Sequence, residues 1–255
     1  SLALDYKFNP QHKISFKGIY NRRSDWENRY RISYKKLNSK VSKQSVVFQT
    51  KAGSSDQKNA RLELQQTMDY TLDGEHQLGN LKMDWAASYS RATEERPNER
   101  YASYKYKYGK SETEYIDFGD GFQDVGDKQP YYAKSLPSLD DSHWVLDELN
   151  NSNQDIVENE WKGRLNFTLP LCKGLYGNTL KFGAKYTSKN KKRTTSFFDY
   201  DPEEVLGDDW RSNTSLQIRD GFMPGSQYPA NSPFISISTL GKIDFSQYEG
   251  TENYE

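Results

Sequence analysis

The chain has 255 residues and a formal net charge of -1, with 34% apolar residues, 28% charged residues and a mean hydropathy of -1.02. Soluble domains usually carry about 45–50% apolar residues, so a conventional core would be thin, yet 19 Tyr, 12 Phe and 5 Trp exclude simple disorder. The near-neutral charge, with no basic stripe evident, argues against nucleic acid. No apolar run reaches the length of a membrane helix, and the lone Cys172 permits neither an internal disulfide nor a thiolate cluster.

The predicted elements are strands. Leu2, Leu4, Tyr6 and Phe8 alternate with polar positions, and Leu2–Phe8 pairs with Lys13–Tyr20 across Asn9-Pro10-Gln11-His12, where Pro presets φ and Asn folds onto its own backbone. In the return strand Ile14, Phe16 and Tyr20 oppose Lys13, Ser15 and Lys17. Beyond it, Arg29–Lys35 and Ser45–Thr50 read as strand extensions inside a long connection.

The clearest period of two runs from Arg61 to Arg91. Leu62, Leu64, Gln66, Met68, Tyr70 and Leu72 share one face; after the Gly79-Asn80 turn, Leu81, Met83, Trp85, Ala87 and Tyr89 continue it. Gln66 interrupts the oily face, and its distance from the turn predicts a place at or above a membrane interface. A third hairpin pairs Glu158–Leu171 with Thr179–Lys192. Trp161, Leu165, Phe167, Leu169 and Leu171 alternate there with Glu160, Lys162, Arg164, Asn166 and Thr168, while Leu180, Phe182, Ala184 and Tyr186 oppose Lys181, Lys185 and Thr187.

Runs this long exceed the usual 5–6 residues of strands in soluble domains and suit a tilted bilayer crossing of about 9–11 residues. Short turns alternate with long connections at roughly 21–59, 93–157 and 193–255, as in outer-membrane barrels. The expected fold is therefore all-β: an antiparallel transmembrane β-barrel segment of about six long strands in three hairpins with long extracellular loops. Within the second long connection the spacing of Val145, Leu146 and Leu149 predicts a short helix over Asp141–Asn150. Lipid-facing and girdle positions are Met68, Tyr70, Leu72, Met83, Trp85, Tyr89, Trp161, Leu165, Phe167, Phe182 and Tyr186.

The segments LDYKFNPQHKISFKGIYNRRSDWENRYR (Leu4–Arg31), NARLELQQTMDYTLDGEHQLGNLKMDWAASYSRATEERPNERY (Asn59–Tyr101) and ENEWKGRLNFTLPL (Glu158–Leu171) resemble barrel sequence of TonB-dependent outer-membrane receptors, as do GAKYTSKNKKR (Gly183–Arg193) and FFDYDP (Phe197–Pro202). The resemblance covers most of residues 1–205. It implies a large barrel closed by a plug domain, an outer-membrane location in a Gram-negative cell, and TonB-coupled import of a scarce nutrient such as a siderophore, cobalamin or glycan. It also implies bilayer lipid, the TonB system, a small nutrient ligand and a surface lipoprotein as partners. No plug or TonB box is present, so residues 1–255 are expected to be one excerpt of such a barrel.

No cofactor, metal site or catalytic residue is expected, because nucleophile–base arrangements, P-loops and zinc motifs are absent. The histidines His12, His76 and His143 are widely separated, and the Asp117, Asp120, Asp124 and Asp127 loop lacks EF-hand spacing. Asp208-Asp209-Trp210 reads as a polar turn. Trp26, Tyr30, Tyr131, Tyr132 and Trp144 are the candidate ligand-contact aromatics; along with Tyr104, Tyr106 and Tyr108, they serve equally well to pack loops together. The alternative reading is a soluble all-β carbohydrate-binding or adhesion module; a barrel-type surface hydrolase is the weaker third.

Overall fold

The structure, a computed structural model, describes residues 1–36, 45–107, 143–171, 178–210 and 234–252. Among them are nine strands: β1 (Leu2–Asn9), β2 (His12–Glu27), β3 (Arg29–Lys35), β4 (Ser45–Ala52), β5 (Arg61–Leu78), β6 (Leu81–Lys107), β7 (Trp144–Pro170), β8 (Thr179–Asp199) and β9 (Thr251–Glu252). They belong to one antiparallel sheet with the path β1-β2-β5-β6-β7-β8-β9, while β4 pairs with both β3 and β6. The two ends of this path do not pair with each other. The all-β class expected from sequence is present, and the sheet is open, not closed into a barrel.

Two of the predicted hairpins show their reason in the chain. Leu78 pairs directly with Leu81 across a two-residue loop, and Gly79 at its first central position has φ +62°. That left-handed first position matches a type II′ turn, whose twist suits the flanking strands. The β5–β6 register holds without interruption from Leu78–Leu81 to Leu64–Glu95. At the first hairpin the Asn9 side chain accepts from the Gln11 N–H, the local folding that makes Asn a turn residue.

Arg29–Lys35 and Ser45–Thr50, expected as strand within the long connection, lie in β3 and β4, which pair from Arg29–Lys51 to Lys35–Ser45. One expectation needs correction. Residues 144–150 are not helical. They open β7, with Trp144 and Leu149 buried, so packing into a core overrides the helical spacing of Val145, Leu146 and Leu149. Asp141 lies outside the described residues.

Contacts divide the chain into two units, each assembled from three stretches: Ser1–Asp25, Glu63–Arg96 and Gln154–Thr195 form unit 1; Trp26–Leu62, Pro97–Asn153 and Ser196–Glu255 form unit 2. Strand β6 changes partner at the boundary, pairing with β5 through Glu95 and with β4 from Arg100. Pro97 carries no N–H, and Asn98, at φ +49°, donates its N–H to the Asn153 side chain (Oδ1, 2.9 Å) of the neighbouring strand β7.

Unit 2 has a true core. Val46 and Phe48 of β4, Ala102 and Tyr104 of β6, Trp144, Trp210, Phe234, Ile235 and Leu240 are all buried. Phe48 makes edge contacts with Trp144 and Phe234, and Tyr104 stacks on Trp210. Two short helices close it. In α1 (Pro202–Leu206), Asp201 accepts the Glu203 N–H and proline fills the first position; in α2 (Ile237–Lys242), Ser236 accepts the Thr239 N–H. The Arg100 guanidinium reaches the other end of α2, donating to the Leu240 and Gly241 carbonyls at 2.7 and 3.0 Å, and lies over the Phe245 ring.

Candidate functional site

Unit 1 offers two faces of opposite character. The first collects Leu4 and Tyr6 of β1, opposite Phe16 and Ile14 of β2, with Phe16 stacked on Tyr70 of β5. It continues through Tyr70–Tyr89 and Leu72–Ala87, then through Tyr89 against Trp161 (4.6 Å between centroids) and Phe167 against Phe182 (5.1 Å). The apolar positions predicted on three separate hairpins therefore share one surface crossing six strands. Nothing among the described residues covers it: Tyr6 is 64% exposed, Trp161 58% and Phe182 53%. Met68, Met83, Trp85 and Phe167 are half-buried by neighbours on the same face, and Tyr70, Leu72, Leu165 and Tyr186 are exposed.

On β6 the apolar set stops at an aromatic residue, Tyr89. Along β6 it runs from Leu81 to Tyr89, about 26 Å at the ~3.3 Å rise of a strand, and then gives way to Arg91, Thr93 and Glu95. Tyr70, Tyr89 and Trp161 lie side by side at this limit, and the Tyr89 hydroxyl donates to Asn159 Oδ1 (2.9 Å). Gln66 pairs with Thr93 beyond the row, outside the apolar set.

At the turn end the face carries a feature that sequence spacing did not show. Trp85 Nε1–H donates to His76 Nε2 (3.0 Å), and His76 Nδ1 lies 3.1 Å from His12 Nδ1. An acceptor at Nε2 places the His76 proton on Nδ1, from which it is donated to His12 Nδ1. The chain of bonds thus runs from the Trp85 indole through both rings. A metal held between the two Nδ1 atoms would require a hydrogen on His76 Nε2, where the indole already donates, so the present arrangement is a hydrogen-bonded latch and not a metal site. Gly74, opposite Trp85, makes room for it: a Cβ there would stand 2.5 Å from Trp85 Nε1.

The opposite face is charged and cross-linked. Lys13 pairs with Asp5 (3.3 Å), Lys17 with Asp73 (3.7 Å), Lys82 with Glu75 (3.3 Å), and Arg164 with Asp84 (3.7 Å); Asn166 also donates to Asp84 (2.8 Å). An open cleft of about 560 Å³ crosses this face between β2 and β8.

In unit 2 the polar centre is Glu99. Its Oε1 accepts from Lys51 Nζ, from Arg61 Nη1 (3.3 Å) and from the Tyr101 hydroxyl (2.6 Å), while Arg61 also pairs with Glu27. Burial alone would raise the Glu99 carboxyl, but the Lys51 and Tyr101 hydrogen bonds and the Arg61 charge outweigh it and hold the group below the ordinary value of 4.5. Burial likewise pushes the Tyr30 hydroxyl up to about 12. Glu99 and Tyr30 are structural in this setting: neither carries a nucleophile or a proton donor toward open space.

The candidate ligand-contact aromatics separate. Trp144 is fully buried in the unit 2 core and Tyr30 packs against Phe234, so both serve packing, as do Tyr104, Tyr106 and Trp210. Trp26 remains exposed, with Lys58 Nζ 4.8 Å from its ring centroid. Asp208 and Asp209 are exposed. Tyr131, Tyr132, Tyr108, Cys172 and the Asp117–Asp127 loop lie outside the described residues. Among the described residues no group of three metal-ligating side chains converges, and no helix is long and apolar enough to cross a membrane. No protein-family model matches the chain, and no curated protein matches it.

Proposed function

We propose that these residues form part of the wall and outer loops of an outer-membrane β-barrel of the TonB-dependent receptor type, a non-catalytic importer of a scarce nutrient. The observation that carries this reading is the six-strand apolar face of unit 1. A water-soluble sheet buries such a face under a second layer; this one carries a row of aromatics and has its charged side chains on the reverse. Lipid would take the first face and a polar lumen the second. The open strands β1 and β8 would then pair with further strands of the wall, since unpaired edges are not tolerated in hydrocarbon. On this reading the plug, the TonB contact and the surface lipoprotein partner involve other parts of the protein.

A second reading, a soluble all-β module for carbohydrate binding or adhesion, draws support from the dry aromatic core of unit 2. Cell fractionation separates them. The full-length protein is expected to sediment with outer membranes, to resist carbonate and salt washing, and to be released by detergent. Recovery as a monodisperse species in detergent-free buffer would overturn the barrel reading in favour of the soluble module.

A further inference from the structure

We propose that the cleft on the charged face of unit 1 binds a multivalent oxyanion, a solute bearing several carboxylate or phosphate groups. Five cations line it, Lys17 from β2, Lys82 from β6, Lys162 and Arg164 from β7 and Lys185 from β8, against three carboxylates, Asp73, Glu75 and Asp84. The excess is two positive charges. Two of the lining pairs are loose: Lys17–Asp73 and Arg164–Asp84 both stand at 3.7 Å. Lys162 is drawn to Glu160, at 2.7 Å, and Lys185 makes no ion pair among the described residues.

The space between these cations comes from small side chains. Ala86, Ser88 and Gly163 lie among the lining residues, and a Cβ added at Gly163 would meet nothing within 4 Å. The volume lies within the ~300–1,000 Å³ range of small-molecule sites. Arg164 supplies a planar fork suited to a carboxylate or phosphate, and the lysines supply mobile point charges around it. The same polarity extends along β8. Lys181, Lys185, Lys189, Lys191 and Arg193 all fall on odd positions, and Lys189 reaches Glu158 (2.6 Å) on this face. Sequence inspection missed the stripe because intervening residues dilute it until the strand is defined.

Anion binding stands on the cleft alone; the further step, that the anion is the imported solute, rests on the barrel reading. The experiment uses the full chain in detergent micelles and two probes, citrate and inorganic tripolyphosphate, followed by calorimetry. Saturable binding near one equivalent is expected, weakening as NaCl rises from about 50 to 500 mM because salt screens charge. K185Q and R164Q should each weaken it roughly tenfold, the size of one charge-assisted contact, whereas K107Q, outside the cleft, should leave it unchanged. Circular dichroism checks that each variant keeps its strand content. Preference for citrate or tripolyphosphate distinguishes carboxylate from phosphate recognition, and either supports the proposal. Absence of saturable binding, or equal loss in K107Q, overturns it. A chain that binds anions yet fractionates as soluble would defeat the barrel reading alone, and a membrane-bound chain with no anion affinity would defeat this inference alone.

Discussion

Units 1 and 2 share strands but solve the burial problem in opposite ways. Among the described residues every fully buried apolar side chain belongs to unit 2, and nearly all the exposed large ones belong to unit 1. Unit 2 turns its aromatics inward and ties its charges together at Glu99; unit 1 spreads its aromatics over one face and its charges over the other. Alternation along a strand fixes which residues share a face, but whether that face meets protein or another medium is decided by what folds over it. Here β4, α1 and α2 cover one region, and among the described residues nothing covers the other.

The sharpest way to break this contrast is to remove an inward aromatic. Phe48→Ala should destabilise unit 2 by about 3–5 kcal/mol, the usual cost of emptying a filled core, read as an earlier unfolding midpoint by near-ultraviolet dichroism. Leu180→Ala, on the exposed face, should shift that signal hardly at all; an equal shift would abolish the distinction. Glu99→Gln leaves Lys51 and Arg61 without their shared carboxylate and is expected to cost a similar ~3–5 kcal/mol. A complementary substitution places charge on the bare face. Leu72→Arg should cost about 2–4 kcal/mol if that face meets hydrocarbon, seen as lost assembly into membranes, but within ~0.5 kcal/mol if it meets water.

Acid should act on unit 2 through Glu99. Its folded carboxyl titrates below the unfolded value, so its stabilisation is complete above pH 4.5 and disappears as pH falls through the lowered folded value. Glu99→Gln should flatten that part of the pH–stability curve; an unchanged acid limb would remove Glu99 from the account. The smallest effect is expected at the turn end of unit 1. Gly74→Ala displaces the Trp85 indole and breaks its bond to His76, a loss of about 1 kcal/mol, accompanied by a change in Trp85 fluorescence that His76→Ala should reproduce.

Much of unit 1 was legible in the sequence because period-two patterning carries the strand, its faces and its register limits together. Leu78–Leu81 pairing and the shared face of Tyr70, Tyr89 and Trp161 follow from alternation plus one glycine turn. Unit 2 was not legible for a definite reason. Its core joins residues with no common period, such as Phe48, Tyr104, Trp144 and Phe234, which approach one another only through tertiary packing. Trp144 consequently looked like a surface aromatic. The His12–His76–Trp85 latch escaped for a related cause: the histidines are 64 residues apart, and only the β2–β5 pairing brings them together.

The threading of each unit from three distant stretches governs how the chain can be made. Thr50 Oγ1 donates to the Ile235 carbonyl, 185 residues later. During synthesis β4 must therefore wait, its oily side open, until the segment around Ile235 has emerged. Such late closure slows folding and prolongs the time in which chains stick to one another. A holding chaperone during biosynthesis, and failure of chains cut near residue 230 to fold, are natural consequences of that arrangement.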